Sequence, residues 1–187
     1  MIPTARKVLT GLIHKRIVPI IEASLPPEQY GFRPHRSTHM PLEILISDVK
    51  RVVGTRGRDT IKKGSAYCAF IDFKKAFDSV NRVILLEKLI DFKVKGRIFY
   101  LIKSLLQANV LFIDDGVETS DEVLQAKGVP QGDRLSPTLF LIYIAELRDK
   151  LLENNLRLQC LFFADDLVFY SEDRTTVQQE LDTVYLM

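Results

Sequence analysis

Three aspartates carry the chemistry this sequence offers. Asp72 closes the apolar run Ala69-Phe70-Ile71, and Asp165-Asp166 stands between the runs Cys160–Phe163 and Leu167–Tyr170. An aspartate set in hydrophobic sequence is destabilising unless it is paired or meets a cation. Three carboxylates brought together repel one another until cations neutralise them. Hard oxygen donors at strand ends suit Mg²⁺, which takes one or two protein carboxylates and completes its shell with water and substrate phosphates. Two such ions about 3.5–4 Å apart can clamp the attacking and leaving oxygens of a phosphoryl transfer. Taken singly, each aspartate is more simply a turn residue. The chemical reading requires Asp72 to converge with the Asp165-Asp166 pair although they lie far apart in the chain.

The elements that would position them follow from periodicity. Residues 4–23 predict a helix with Val8, Leu12, Ile13, Ile17 and Ile20 on one face, stopped by Leu25-Pro26-Pro27. A loop from Gly31 to Thr38 precedes a helix over 41–53, with Leu42, Leu45, Ile46, Val49 and Val53 inward. Residues 66–71 suit a buried strand, and helices follow over 82–91 and 95–107. Asp115-Gly116 is a two-residue turn signal that predicts a hairpin over 110–120. After a Gly128–Gly132 loop, Ser136-Pro137 reads as N-cap and first helical residue of a helix to Leu152. Residues 159–170 read as strand, tight turn and returning strand, with carboxylates at the tip. Thr176 and Gln179 form a candidate capping box for a last helix. Helices mixed with hairpin-like strands make the class α+β.

Composition narrows the rest. The 187 residues amount to about one domain. Hydrophobic residues at 47% and charged ones at 27% are ordinary for a globular core that needs no staples. A net charge of +2 does not by itself call for nucleic acid. A local basic stretch, Lys50, Arg51, Arg56, Arg58, Lys62 and Lys63, suits either phosphate contacts or a solvated loop. Cys68 and Cys160, each in an apolar run, predict buried thiols rather than a disulfide or zinc site. No apolar stretch is long enough to span a bilayer, so the expectation is a soluble, intracellular protein with no membrane partner, nucleus and cytoplasm both open. Asp78 and Asp133 read as loop or cap residues, and His14, His35 and His39 lack ligand spacing.

Four blocks give these residues a context. Phe163-Ala164-Asp165-Asp166 resembles the catalytic box of reverse transcriptases. Residues 69–80, Ala-Phe-Ile-Asp-Phe-Lys-Lys-Ala-Phe-Asp-Ser-Val, resemble the family's first aspartate block, and residues 128–137, from Gly128-Val129-Pro130-Gln131-Gly132 to Pro137, its Pro-Gln-Gly block. Tyr30-Gly31-Phe32-Arg33-Pro34-His35-Arg36-Ser37-Thr38 resembles the finger block of LINE-type and group II intron enzymes. The order is the family's, the resemblance covers nearly the whole chain, and it is nearest to the reverse transcriptases of non-LTR (LINE-type) retrotransposons.

That resemblance implies a polymerase palm, a small antiparallel sheet backed by helices, with part of the fingers: about 1–65 on the fingers side and 66–187 mainly palm. It implies an RNA-directed DNA polymerase that adds dNTPs to a DNA primer on an RNA template. Asp72 and Asp165 would be the main metal ligands with Asp166 beside them, and the carbonyl of Phe73 would add a ligand. The metals would be two Mg²⁺, with Mn²⁺ a possible substitute. Phe77 would be the ring that excludes a 2′-OH, with a core phenylalanine as the plainer reading. Gln131 and Gly132 would line the nucleotide pocket, and Arg33 or Arg36 would hold triphosphate or template backbone. The family's thumb and any endonuclease are not in these residues and are expected in a parent reading frame, without which polymerisation by this segment alone would be poor. The alternatives are an inactive or domesticated remnant that keeps the fold and binds RNA, and a group II intron maturase-like protein. A metal-dependent nuclease would explain the carboxylates but not Gln131-Gly132 or Phe77.

Overall fold

A computed structural model describes residues 3–54, 64–107, 110–111, 116, 118–153 and 158–185. In chain order the elements are α1 (Thr4–Ile21) running into a 3-10 turn (Glu22–Ser24), α2 (His39–Val53), β1 (Tyr67–Ile71), α3 (Ala76–Ser79), α4 (Arg82–Asp91) and α5 (Gly96–Gln107). Then come β2 (Val110–Leu111), β3 (Val123–Leu124), α6 (Ser136–Ile144), α7 (Leu147–Leu152), β4 (Gln159–Phe163), β5 (Asp166–Ser171) and α8 (Arg174–Tyr185). They fall into two compact units. One joins Met1–Leu25 to Lys75–Tyr143, and the other joins Pro26–Lys74 to Ile144–Met187.

The second unit holds the three-stranded sheet, in the order β1-β5-β4 and antiparallel throughout. Side chains alternate across the pleat. One face sends Ala69, Cys160, Phe162, Leu167 and Phe169 into a core with Leu151, Leu158 and Val177. Phe169, at the centre of the middle strand, is fully buried. The outer edge of β4 is extended by residues 28–30. Phe162 N–H donates to Glu28 O at 2.9 Å, and Tyr30 N–H donates to Phe162 O at 2.8 Å.

The first unit is helical apart from the β2–β3 pair. Its buried apolar residues include Ile13, Ile17 and Ile21 of α1, Leu85 and Leu89 of α4, and Ile102 and Leu106 of α5. Asn81 caps α4, its side-chain oxygen accepting Val83 N–H at 2.9 Å and Ile84 N–H at 3.4 Å. Arg82 then ties three segments together, with Nε donating to Gly128 O at 2.8 Å and Nη1 to Leu106 O at 2.6 Å and to Gln125 O.

Several sequence expectations are corrected. The buried stripe of α1 is Thr10, Gly11, Ile13, Ile17 and Ile21. Val8, Leu12 and Ile20 are 59%, 55% and 43% exposed. Apolar residues flank the true stripe on both sides, so hydrophobicity alone could not orient the helix, while Gly11 marks where the Arg134 side chain comes close. In α2 no residue is buried, and Leu42, Ile46 and Val53 are exposed. Cys68 is exposed and Cys160 buried, so only one thiol is a core residue, and burial pushes the Cys160 thiol up to about 12. Val110–Leu111 pairs with Val123–Leu124, beyond the expected hairpin, while Asp115 lies outside the described residues. Most of the basic stretch, residues 55–63, lies outside them too.

The helix expected over 136–152 breaks at Ala145-Glu146 into α6 and α7. Ser136 is already helical and its hydroxyl donates to Pro130 O, so it does not cap. Asp133, three residues before α6, accepts Leu135 N–H at 3.1 Å and so shapes the turn that leads into the helix. Asp173, not Thr176, caps α8, accepting Thr175 N–H at 3.1 Å and Thr176 N–H at 3.2 Å. At α8 the aspartate just outside the helix outcompetes the hydroxyl residue one turn in because its two oxygens reach two backbone donors.

Candidate active site

Sheet register brings Asp72 to the carboxylate hairpin. Ile71 faces Leu167 across β1 and β5, and Phe163 faces Asp166 across β5 and β4. One step beyond Ile71↔Leu167 sets Asp72 level with Asp166, where antiparallel neighbours lie about 4.5–5.5 Å apart at Cα. Asp72 and Asp166 both line a cleft of about 390 Å³. Its walls are Thr38 just before α2, Pro41, Leu42 and Leu45 of α2, and strand residues including Phe70, Leu161 and Val168. Asp72 and Asp166 are exposed and Asp165 is half-buried.

None of these three carboxylates accepts a hydrogen bond or ion pair from any described residue. No described residue neutralises the two carboxylates at the cleft, Asp72 and Asp166. Among the described residues no three His, Cys, Asp or Glu side chains are already gathered as a metal cage. Mg²⁺ does not require one, since it binds through one or two carboxylates and leaves the other positions to water and phosphate. The donor set therefore fits a hard divalent cation. Phe73, whose carbonyl the resemblance adds to that set, turns its half-buried ring against the sheet core.

The hairpin tip is built unusually. Its two-residue connection is Ala164-Asp165, and Ala164 has φ +58°. Two-residue hairpins need positive φ at that first position, which favours Gly. An alanine there costs about 1–2 kcal/mol. Gln29, only 3% exposed, embraces the strained residue. Its Oε1 accepts Ala164 N–H at 2.9 Å and Gly31 N–H at 2.8 Å, and its Nε2 donates to Ala164 O at 3.2 Å. Gly31 lies so close that a Cβ there would sit 2.2 Å from Ala164 N, so only glycine fits. Glu28 is anchored in turn by Arg148, through Nη2–Oε1 at 2.9 Å and Nε–Oε2 at 3.1 Å. The sequence reading missed Gln29, Glu28 and Arg148. The one available signal was a Gln placed two residues before a Gly in a Pro-rich turn.

Arg33 and Arg36 are occupied within the same loop. Arg33 is 8% exposed, and its Nη1 donates to Pro26 O at 2.6 Å and Gln29 O at 3.2 Å. Arg36 donates to Pro27 O and lies 4.8 Å above the Tyr30 ring.

The other expected residues belong to the first unit. Phe77 is half-buried and stacks on Phe140, with ring centroids 4.6 Å apart and planes at 21°. Gln131 is exposed, and its Nε2 donates to both oxygens of Asp78, at 3.2 and 3.1 Å. Gly132 and Gly128 have φ +78° and +81°, and a Cβ at Gly128 would lie 2.7 Å from Asp78 O. Asp133 is buried and receives Arg6 Nε at 3.3 Å.

Comparison with known proteins decides what this arrangement belongs to. Residues 1–185 match the family of reverse transcriptases (RNA-dependent DNA polymerases). The chain belongs to the reverse transcriptase family. Its relatives are non-LTR elements. It is 33% identical over 150 residues to the RNA-directed DNA polymerase from mobile element jockey of Drosophila funebris, covering 79% of this chain and 15% of that protein. It is 31% identical over 171 residues to the probable RNA-directed DNA polymerase from transposon X-element of Drosophila melanogaster, covering 89% and 18%. The chain thus spans less than a fifth of either relative. Among solved structures, telomerase from Candida tropicalis in complex with a fragment of telomeric RNA superposes with a TM-score of 0.72 at 14% identity, over 92% of this chain and 30% of that one. That likeness confirms the α+β fold of a reverse transcriptase palm and fingers. The family uses divalent metals, and no helix among the described residues is long and apolar enough to cross a membrane.

Proposed function

We propose that this segment carries the metal-binding carboxylates of an RNA-directed DNA polymerase, with an RNA template, a DNA primer and dNTPs as partners. The observation that carries the reading is the set of carboxylates on adjoining antiparallel strand ends that no described residue pairs, Asp72 and Asp166 on one cleft with Asp165 at the hairpin tip. In the reaction the primer O3′ forms a bond to the α-phosphorus of the dNTP, the bond to the pyrophosphate oxygen breaks, and the O3′ proton leaves to solvent. Asp72, Asp165 and the Phe73 carbonyl would hold two Mg²⁺, or Mn²⁺ in their place, with Asp166 beside them. Bound there, the ions supply charge neutralisation and polarisation of the phosphoryl oxygens.

The protein's own share is placement rather than covalent chemistry. Gln131 and Gly132 would meet the nucleotide, Gln131 held in position by Asp78. Phe77, its ring fixed by Phe140, would exclude a 2′-OH. Of the two arginines Arg36 suits a phosphate better, because Arg33 is buried. In this reading residues 1–65 lie on the fingers side and 66–187 mainly in the palm. The test is template-dependent dNTP incorporation, with Mg²⁺, by this segment in its native reading frame. Asp72→Asn should abolish extension while leaving primer–template binding in place, and undiminished extension would refute the assignment.

A further inference from the structure

We propose that Gln29 is a positioning residue for the metal site, holding Asp165 at the hairpin tip through its grip on Ala164. The proposal rests on the reading of Asp165 as a metal ligand. Three observations support it. Ala164 is held at φ +58°, a conformation that an alanine leaves readily unless its surroundings fix it. Gln29 satisfies both the N–H and the C=O of that one residue, and its remaining acceptor contact goes to Gly31 N–H. Gly31 closes over the turn so tightly that no side chain fits between them. The peptide on each side of Ala164 is thereby fixed, and Asp165 leaves the second of these peptides in a set direction.

A glutamine is suited to this because one planar amide presents an acceptor and a donor to the two polar groups of a single residue. Its own backbone is carried by the edge pairing of residues 28–30 with Phe162, and Glu28 beside it is anchored by Arg148. The clamp therefore moves with β4, the strand that leads into the turn. Metal ligands depend on such outer partners, whose loss typically costs 10–100-fold in affinity.

The experiment uses the 187-residue chain, Mn²⁺ as the probe, and the electron paramagnetic resonance signal of free Mn²⁺ as the readout. Wild type is compared with Asp165→Asn, Gln29→Met and Gln29→Asn at a temperature where circular dichroism shows each folded. Gln29→Met keeps the side chain's length without its hydrogen bonds, and Gln29→Asn keeps the amide without its reach. Both should bind Mn²⁺ about 10-fold or more weakly. In the metal-free proteins their Ala164 amide should exchange faster with solvent, as loss of the Gln29 bond requires. Binding equal to wild type by folded Gln29 variants, while Asp165→Asn binds poorly, overturns the positioning role and leaves the metal site intact. Failure of both variants to fold makes Gln29 a framework residue and overturns it as well. Failure of wild type to bind, or undiminished binding by Asp165→Asn, overturns the metal reading instead.

Discussion

The aspartates at and facing the Pro-Gln-Gly loop, Asp133 and Asp78, and those at the strand ends respond to the same physics in opposite ways. In the first unit, Asp133 is buried with Arg6 and the Leu135 amide as partners, and Asp78 holds Gln131. In the second, Asp72, Asp165 and Asp166 meet no donor among the described residues and stand at or beside a cleft. A carboxylate whose partners come from the chain is framework. One left without partners, beside others like it, has its free energy set by what arrives from solution. The difference lies in the neighbours that the fold supplies.

The comparison can be broken by removing carboxylates one at a time. Asp133→Ala should have the largest effect on folding. It strips a buried acceptor from the Leu135 amide and leaves Arg6 without that carboxylate, at a cost of about 2–3 kcal/mol, read by urea denaturation. A loss below about 0.5 kcal/mol would mean that the buried carboxylate is not framework. Phe77→Val sharpens the same contrast, because its stack on Phe140 makes it framework and the proposed gate makes it functional. Stability should fall by less than the about 3–5 kcal/mol of a Phe→Ala truncation. In the native reading frame, rNTP incorporation should rise relative to dNTP. An unchanged ratio would leave Phe77 as core alone. Asp78→Ala removes only the contact to an exposed Gln131, and a loss of about 1 kcal/mol is expected. Asp166→Asn in metal-free buffer should be smallest, within about 0.5 kcal/mol of wild type, and relief of repulsion would make it slightly stabilising.

Much of this contrast is legible in the amino-acid sequence. The β4–β5 hairpin follows from two apolar runs around Asp165-Asp166, and α4 and α5 appear within a residue of their expected bounds. The helices are harder. α1 carries apolar residues around much of its circumference, so the choice of buried face depends on neighbours that composition does not specify, whereas α2 has a defined apolar side of which no residue is fully buried. Gln29 is not legible because its role is a long-range one, made with Ala164 some 135 positions on. Asp78 reads as a loop or cap residue but lies within α3, and its partner Gln131 emerges only when the loop containing Gly128 closes on it.

If the strand-end carboxylates form an open cation site, bound Mg²⁺ stabilises the fold through them. The most direct test is the unfolding free energy of wild type and Asp166→Asn, each with EDTA and with saturating Mg²⁺. With EDTA the two should be nearly equal. With Mg²⁺ at 100 times its dissociation constant, wild type should gain about 2.7 kcal/mol, and Asp166→Asn, at the same concentration, much less. An equal gain in both proteins, or none in wild type, would contradict the claim.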